Sequence, residues 1–159
     1  MRIGHGFDAH RLAAGRRFLL AGVEIEAQVG PLGYSDADLL AHAVADAVLG
    51  AAALGDLGEH FPSSDERFRD ADSMELLRAC VAMLHRAGYT VKNVDATVVL
   101  ERPHLARYAA RMRSALAESL GIPTGAVSVK AKSSDGLGYT GDGSGIAVYA
   151  VASIEESRL

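Results

Sequence analysis

The 159-residue chain has no tryptophan, one cysteine and four prolines. A single thiol excludes a disulfide framework and any cage of thiolate metal ligands. That thiol, Cys80, falls on the apolar stripe of an expected helix and reads as a buried, inert side chain rather than a nucleophile. Positive charge is also short, since 16 Lys and Arg against 20 Asp and Glu leave a net charge of −4. General attraction to nucleic acid or to an anionic membrane is therefore excluded. A phosphate-bearing ligand would need a local site made of metal ions, backbone N–H groups or a few cations. No basic stretch followed by an apolar one opens the chain, so no signal peptide is read. The most hydrophobic segment, LLAHAVADAVLGAAAL, is interrupted by His42 and Asp46 and is too short to span a bilayer. A cytoplasmic protein is expected. The remaining composition, 49% hydrophobic and 23% charged, suits one domain over residues 1–159 with its own core.

The pattern along the chain predicts strands over 2–12 and about 17–26, then a loop, QVGPLGYSDAD. A long helix follows from about Asp36 to Leu54, with Ser35 and Asp38 in capping-box register. After the loop GDLGEHFPSSDERF, long enough to suggest function, a second helix starts near Asp72. Its stripe is Leu76, Leu77, Cys80, Val81 and Leu84, and Gly88 ends it. YTVKNVDATVVLE reads as a strand, and Pro103 as the first position of a third helix. That helix turns Leu105, Tyr108, Met112 and Leu116 inward and Arg107 and Arg111 outward. GAVSVKAK is a strand, SSDGLGYTGDGSG a Gly-rich loop and IAVYAVASI the last strand. The mixture predicts an α+β domain, a mixed β-sheet with helices packed on one face.

Two places carry chemistry. In the opening GHGFDAHRL, Asp8 and His10 are two apart on a strand and share a face. The long helix is Leu, Ala or Val nearly all round, yet Asp38, His42 and Asp46 form one i, i+4 row. Buried polar groups need partners, because an unsatisfied one costs about 1–3 kcal/mol. If the strand packs beside that row, Asp8, His10 and His42 make a three-ligand site for zinc or another divalent transition metal, with a fourth position open. The competing reading makes Asp8 and His10 surface residues and His42 a hydrogen-bonded core histidine. His5 points to the opposite strand face, and His60, His85 and His104 read as surface or hydrogen-bonding residues.

GLGYTG at 136–141 matches G-x-G-x-x-G, but no strand-then-helix context follows, so the dinucleotide reading fails. Ser133, Ser134 and Asp135 at a strand end suit a phosphate and a hard cation, or equally a turn. Asp56 and Gly58 suit sugar hydroxyls or, again, a turn. No arrangement supports a covalent intermediate.

In order along nearly the whole chain, GHGFDAHRL, GYSDADLLAHAVADAVLGAAALGDLGEHFP, NVDATVV and KAKSSDGLGYTGDGSGIAV resemble the 2-C-methyl-D-erythritol 2,4-cyclodiphosphate synthase family of the non-mevalonate isoprenoid pathway. The resemblance implies a homotrimer with sites between subunits. Its substrate would be 4-diphosphocytidyl-2-C-methyl-D-erythritol 2-phosphate, cyclised with release of CMP. It also implies Zn²⁺ on Asp8, His10 and His42, and Mg²⁺ or Mn²⁺ on the substrate diphosphate near Asp135. Substrate contacts would come from Asp8, Ala9 and His10, from Tyr34 and Ser35, and from Asp56, Leu57 and Gly58 at the ribose. Phe61, Pro62, Ser63, Ser64 and Asp65 would line the methylerythritol pocket. Leu100, Pro103, His104, Leu105 and Ala106 would hold cytidine. Lys132, Ser133, Ser134 and Asp135 would lie with them on the cytidine and diphosphate side, and Tyr139 and Asp142 would also bind substrate. Tyr34 and Ser133 would stabilise the transition state.

Several of these residues depart from the family pattern. Tyr34 stands where His is usual, Asp135 for Glu, Asp142 for Arg and His104 for Lys. The changes at Tyr34, Asp142 and His104 remove positive charge, Asp135 is one methylene shorter than Glu, and Lys132, where Thr is frequent, restores some charge. Two other readings fit the residues. One is a metal-dependent phosphohydrolase with Asp38 or Asp46 as base; the other is a non-catalytic metal-binding trimer.

Overall fold

The computed structural model describes residues 1–157. Strand β1 (Arg2–Ala14) pairs antiparallel with the last strand, β7 (Gly145–Glu156), from Arg2 opposite Ile154 to Arg11 opposite Gly145. On the other side of β7 lies β5 (Tyr89–Val99), and β6 (Val127–Lys132) adds a parallel partner to β5. The short β4 (Val29–Pro31) pairs with the far end of β1, which makes the order β4-β1-β7-β5-β6.

Period-two alternation decides which face is covered. Along β7, Ile146, Val148, Ala150, Ala152 and Ile154 are fully buried, while Tyr149 and Val151 are 45% and 41% exposed. Helices α1 (Leu39–Ala51), α3 (Ser73–Arg86) and α4 (Ala109–Leu120) pack on the buried face. Two single turns, α2 (Leu57–His60) and α5 (Gly138–Gly141), sit in the loops. The expected α+β arrangement, with helices on one face of a mixed sheet, is the one observed. Among the described residues no helix is long and apolar enough to cross a membrane. Cys80 is buried on α3, and burial pushes its thiol up to about 12.

Several boundaries differ from expectation, each for a physical reason. The strand expected over 17–26 is a tight hairpin of β2 (Leu19–Leu20) and β3 (Val23–Glu24). Its turn residues Ala21 and Gly22 have φ of 51° and 70°, the left-handed pair that a two-residue hairpin needs. The loop expected after it contains β4.

Asp38, not Ser35, caps α1, accepting from Ala41 N at 3.0 Å. The same carboxylate accepts from Ala21 N at 2.9 Å and Gly22 N at 2.7 Å, holding the hairpin turn against the helix start. Asp38 is thus a fully buried structural residue, and burial pushes its carboxyl up against the pull of three N–H donors.

Pro103 does not open a helix. It lies in a turn behind a cis Arg102–Pro103 bond, and the helix begins with a 3₁₀ turn at Ala106–Tyr108 before α4. Proline's fixed φ suits a turn as well as a first helical position. Leu105, Tyr108, Met112 and Leu116 are nonetheless buried as expected. Leu76, expected on the core stripe of α3, is only half-buried and faces a pocket.

Candidate active site

The site begins with two glycines. Gly4 and Gly6 share the face of β1 that carries Asp8 and His10, and both are pressed onto α1. A Cβ on Gly6 would overlap the Ala43 carbonyl oxygen and stand 2.8 Å from the Ala43 carbonyl carbon and the Ala47 nitrogen. On Gly4 it would overlap the Ala47 carbonyl oxygen. Backbone therefore meets backbone, and α1 lies close enough for His42 to reach the strand's ligand face.

Asp8, His10 and His42 converge, one ligand atom from each lying within 4.8 Å of the others. The Asp8 Oδ2 atom is 3.2 Å from His10 Nε2 and 3.1 Å from His42 Nδ1. The outer ring nitrogens are committed elsewhere. His10 Nδ1 faces the Leu32 carbonyl oxygen and must donate to it. His42 Nε2 is 2.8 Å from Ser73 Oγ, and that hydroxyl donates to Asp36, so it accepts from the imidazole. Each neutral ring then turns a bare lone pair toward a carboxylate. Three lone pairs facing one another repel unless protons or a cation lie between them. The donor set fits a divalent transition metal with an open fourth position. The remote hydrogen bonds to Leu32 and Ser73 are the kind that orient metal-binding histidines.

Without a metal the electrostatics carry the same message. Burial would raise the Asp8 carboxyl, but hydrogen bonds and charge from His10 and His42 outweigh it and hold Asp8 at about 2. His10 is raised above its ordinary value, chiefly by its hydrogen bond to Asp8.

The trio lines a pocket of about 280 Å³ together with Tyr34, Ser35, Asp46, Leu57, Gly58, Phe61 and Ser63, closed by Phe68 and Leu76. Asp46 accepts from Leu57 N at 2.7 Å and so ties α2 to α1. Burial pushes its carboxyl up, against the pull of that N–H. Of the polar row on α1, His42 and Asp46 face the pocket, whereas Asp38 does not. Asp56 caps α2, accepting from Glu59 N at 2.9 Å. Asp65 caps the following 3₁₀ turn (Glu66–Phe68), its carbonyl oxygen 3.4 Å from the Tyr34 hydroxyl. Pro62 and Ser64 belong to the same loop without lining the pocket.

The other expected contacts, Tyr139 excepted, lie apart from the metal trio within one chain. Leu100, Pro103, His104, Leu105, Lys132 and Ser133 line a second pocket, of about 150 Å³. Leu105 and Ala106 border an apolar groove beside it. Tyr139 joins Ala9, His10 and Gly145 in a third pocket. Ser134 Oγ pairs with Thr140 Oγ1 at 2.6 Å, and Asp142 accepts from Ser144 N at 2.8 Å. Asp135 occupies an exposed turn at φ 54° and is not part of the ligand trio.

Sequence reasoning missed Gly4 and Gly6, Asp36 and Ser73. The G-x-G-x-D-x-H alternation on one strand face was a usable signal for the first pair. No sequence signal points to Ser73, which lies 31 residues from His42.

The YgbB family model matches residues 1–155. The chain belongs to that family. A 2-C-methyl-D-erythritol 2,4-cyclodiphosphate synthase of Salinibacter ruber is 52% identical over 99% of this chain and the whole of that protein. The enzyme of the same name from Syntrophomonas wolfei is 51% identical with the same coverage. Among solved structures, 2C-methyl-D-erythritol-2,4-cyclodiphosphate synthase in a CDP-bound form superposes with a TM-score of 0.89 at 33% identity, over 97% of this chain and all of that one. The bifunctional IspDF of Campylobacter jejuni gives 0.94 at 37% identity, over 98% of this chain and 42% of that one.

Proposed function

We infer that this YgbB-family chain converts 4-diphosphocytidyl-2-C-methyl-D-erythritol 2-phosphate to 2-C-methyl-D-erythritol 2,4-cyclodiphosphate and CMP, in non-mevalonate isoprenoid biosynthesis. The observation that carries the reading is the convergence of the Asp8, His10 and His42 lone pairs in an open pocket, their outer nitrogens already satisfied. Membership of a family whose relatives bear that enzyme's name, over the full chain, supports it.

In the reaction an oxygen of the 2-phosphate attacks the β-phosphorus, and the bond from that phosphorus to the α-phosphate oxygen breaks. The leaving CMP keeps the electron pair. The attacking oxygen is already anionic, so no base is required, and catalysis reduces to positioning and charge neutralisation. A metal held by Asp8, His10 and His42, assigned as Zn²⁺, would supply Lewis-acid polarisation of the phosphoryl group.

The chain's own residues do the rest. Asp56 and Gly58 hold the ribose, and the loop 61–65 shapes the methylerythritol pocket. Tyr34 and Ser133 direct hydroxyl donors at charge that grows during attack. Asp46 keeps α2 in register with α1. Asp135 is assigned to a second cation, Mg²⁺ or Mn²⁺, that travels with the diphosphate.

We place the complete site between subunits of a homotrimer. In support, Ile3, Phe7, Tyr149 and Val151 form an exposed apolar patch on the uncovered sheet face, 41–65% exposed. Patches of that kind mark interfaces. The metal pocket and the Leu100–Ser133 pocket share no residues within one chain, and a neighbouring subunit would join them. The cytoplasm is the assigned location.

Incubation with the cytidylyl substrate and Mg²⁺, followed by product analysis, tests the reading. CMP together with a cyclic diphosphate is the expected result. A linear product would instead indicate a phosphohydrolase, and no turnover a binding protein. Either would overturn the assignment.

A further inference from the structure

The metal pocket is short of cationic side chains. Among the residues lining it are two carboxylates, Asp8 and Asp46, and no lysine or arginine. A ligand bearing several phosphates brings more negative charge than one divalent ion neutralises. Two arginines stand at the rim, and they are held very differently.

Arg67 is committed. Its Nε lies 3.1 and 2.9 Å from the two Asp65 carboxylate oxygens, and Nη2 lies 2.6 Å from Oδ2. Among the described residues, Arg69 has only a loose ion pair, with Glu66 at 3.5 Å, both side chains mostly exposed. Its guanidinium carbon sits 5.5 Å from the centroid of the Tyr34 ring, and Tyr34 lines the pocket. Arg69's backbone position is fixed even though its head is not. Asp70 N donates to Tyr34 O at 3.1 Å and Asp36 N to Ala71 O at 3.2 Å, so the segment after Arg69 is laddered to the segment carrying Tyr34 and Ser35. A long cationic side chain is thus rooted beside the pocket, parked on an aromatic face, with an exchangeable partner.

We propose that Arg69 is a substrate-positioning residue: its guanidinium leaves Glu66 and clamps the phosphate monoester on the methylerythritol, the group that attacks. This rests on the proposed cyclisation. The monoester is chosen over the diphosphate because Arg69 shares a rim with Tyr34 and the 61–65 loop, the side assigned to methylerythritol. The planar fork of arginine suits a phosphate's paired oxygens. The clamp presents the nucleophile while leaving the metal ligands untouched.

The test compares the substrate with the same molecule lacking the 2-phosphate, used as a competitive inhibitor, on the metal-loaded enzyme. Arg69→Gln is expected to raise KM by about tenfold, the loss of one charge-assisted, partly screened hydrogen-bonded contact. The inhibition constant of the unphosphorylated analogue should stay within about twofold, since it lacks the group that Arg69 holds. Arg69→Lys should recover part of the loss, and zinc content should equal that of the parent in both variants. An unchanged KM in Arg69→Gln would overturn the proposal. An equal rise in KM and in the analogue's inhibition constant would overturn it too, because a general structural role would act on both. Parent enzyme that makes no cyclic product would remove the reaction itself, and this role with it.

Discussion

Replacing Gly6 with alanine probes how the site is assembled without touching a ligand. The added Cβ would stand 2.8 Å from the Ala43 carbonyl carbon and the Ala47 nitrogen, and ordinary Cβ contact begins at 3.4 Å. Strand and helix must therefore separate by at least about 0.6 Å, the difference between those two distances, and by more to clear the Ala43 oxygen. Neither neighbour is a flexible side chain that can step aside. Overpacking of this kind costs about 2 kcal/mol, and in a chain of this size that lowers Tm by roughly 4–8 °C.

The larger effect falls on the metal. Ligand distances tolerate about 0.2 Å, and His42 rides on the displaced helix while Asp8 and His10 stay on the strand. Chelator competition should show zinc affinity at least about tenfold weaker, the lower end for a disturbed ligand shell. Turnover should fall more than stability does. Calorimetry and zinc competition on one preparation provide both readouts. Gly6→Ala protein with parental Tm and parental zinc affinity would refute the argument that this glycine seats α1.

Further outcomes follow from the second layer of contacts. Ser73→Ala removes the nearer acceptor of His42 Nε2–H, at 2.8 Å, and leaves Ser35 Oγ at 3.3 Å. Zinc binding should weaken about tenfold, with little change in the far-ultraviolet circular dichroism spectrum, and parental affinity would show that Ser73 does not orient the ring. In metal-free protein, Asp8 is lowered from an ordinary 3.8 to about 2. A depressed carboxyl contributes stability that is complete above the unfolded value and is lost as pH falls through the folded one. Denaturant titrations should therefore show that contribution declining between about pH 4 and pH 2, and Asp8→Asn should abolish that part of the acid limb. An identical acid limb in the two proteins would contradict the assigned pairing.

Much of the site was legible in the sequence because its elements obey simple periodicities. Asp8 and His10 share a strand face by alternation, and His42 stands out on a helix that is otherwise Leu, Ala and Val. The layered α+β arrangement followed from the same patterns. What failed was finer. A polar row at i, i+4 suggested one role for Asp38, His42 and Asp46, but the first lies a turn away at the helix start, where unpaired N–H groups captured it. Ser35 looked like a cap, yet an aspartate three residues on was nearer the helix start. The 17–26 segment had β-type residues throughout, and its Ala-Gly pair was the signal for a two-residue turn. Ser73 reaches His42 only because α3 packs beside α1, a tertiary fact with no local signature.

The central claim is that Asp8, His10 and His42 bind one ion and leave a coordination position for phosphate. Anomalous diffraction at the zinc absorption edge, from crystals grown with zinc and CDP, tests it most directly. A single strong peak is expected about 2.0–2.2 Å from one oxygen and two nitrogens of these residues, with a phosphate oxygen completing the shell. No peak at the trio, or an ion enclosed by four protein ligands, would contradict it.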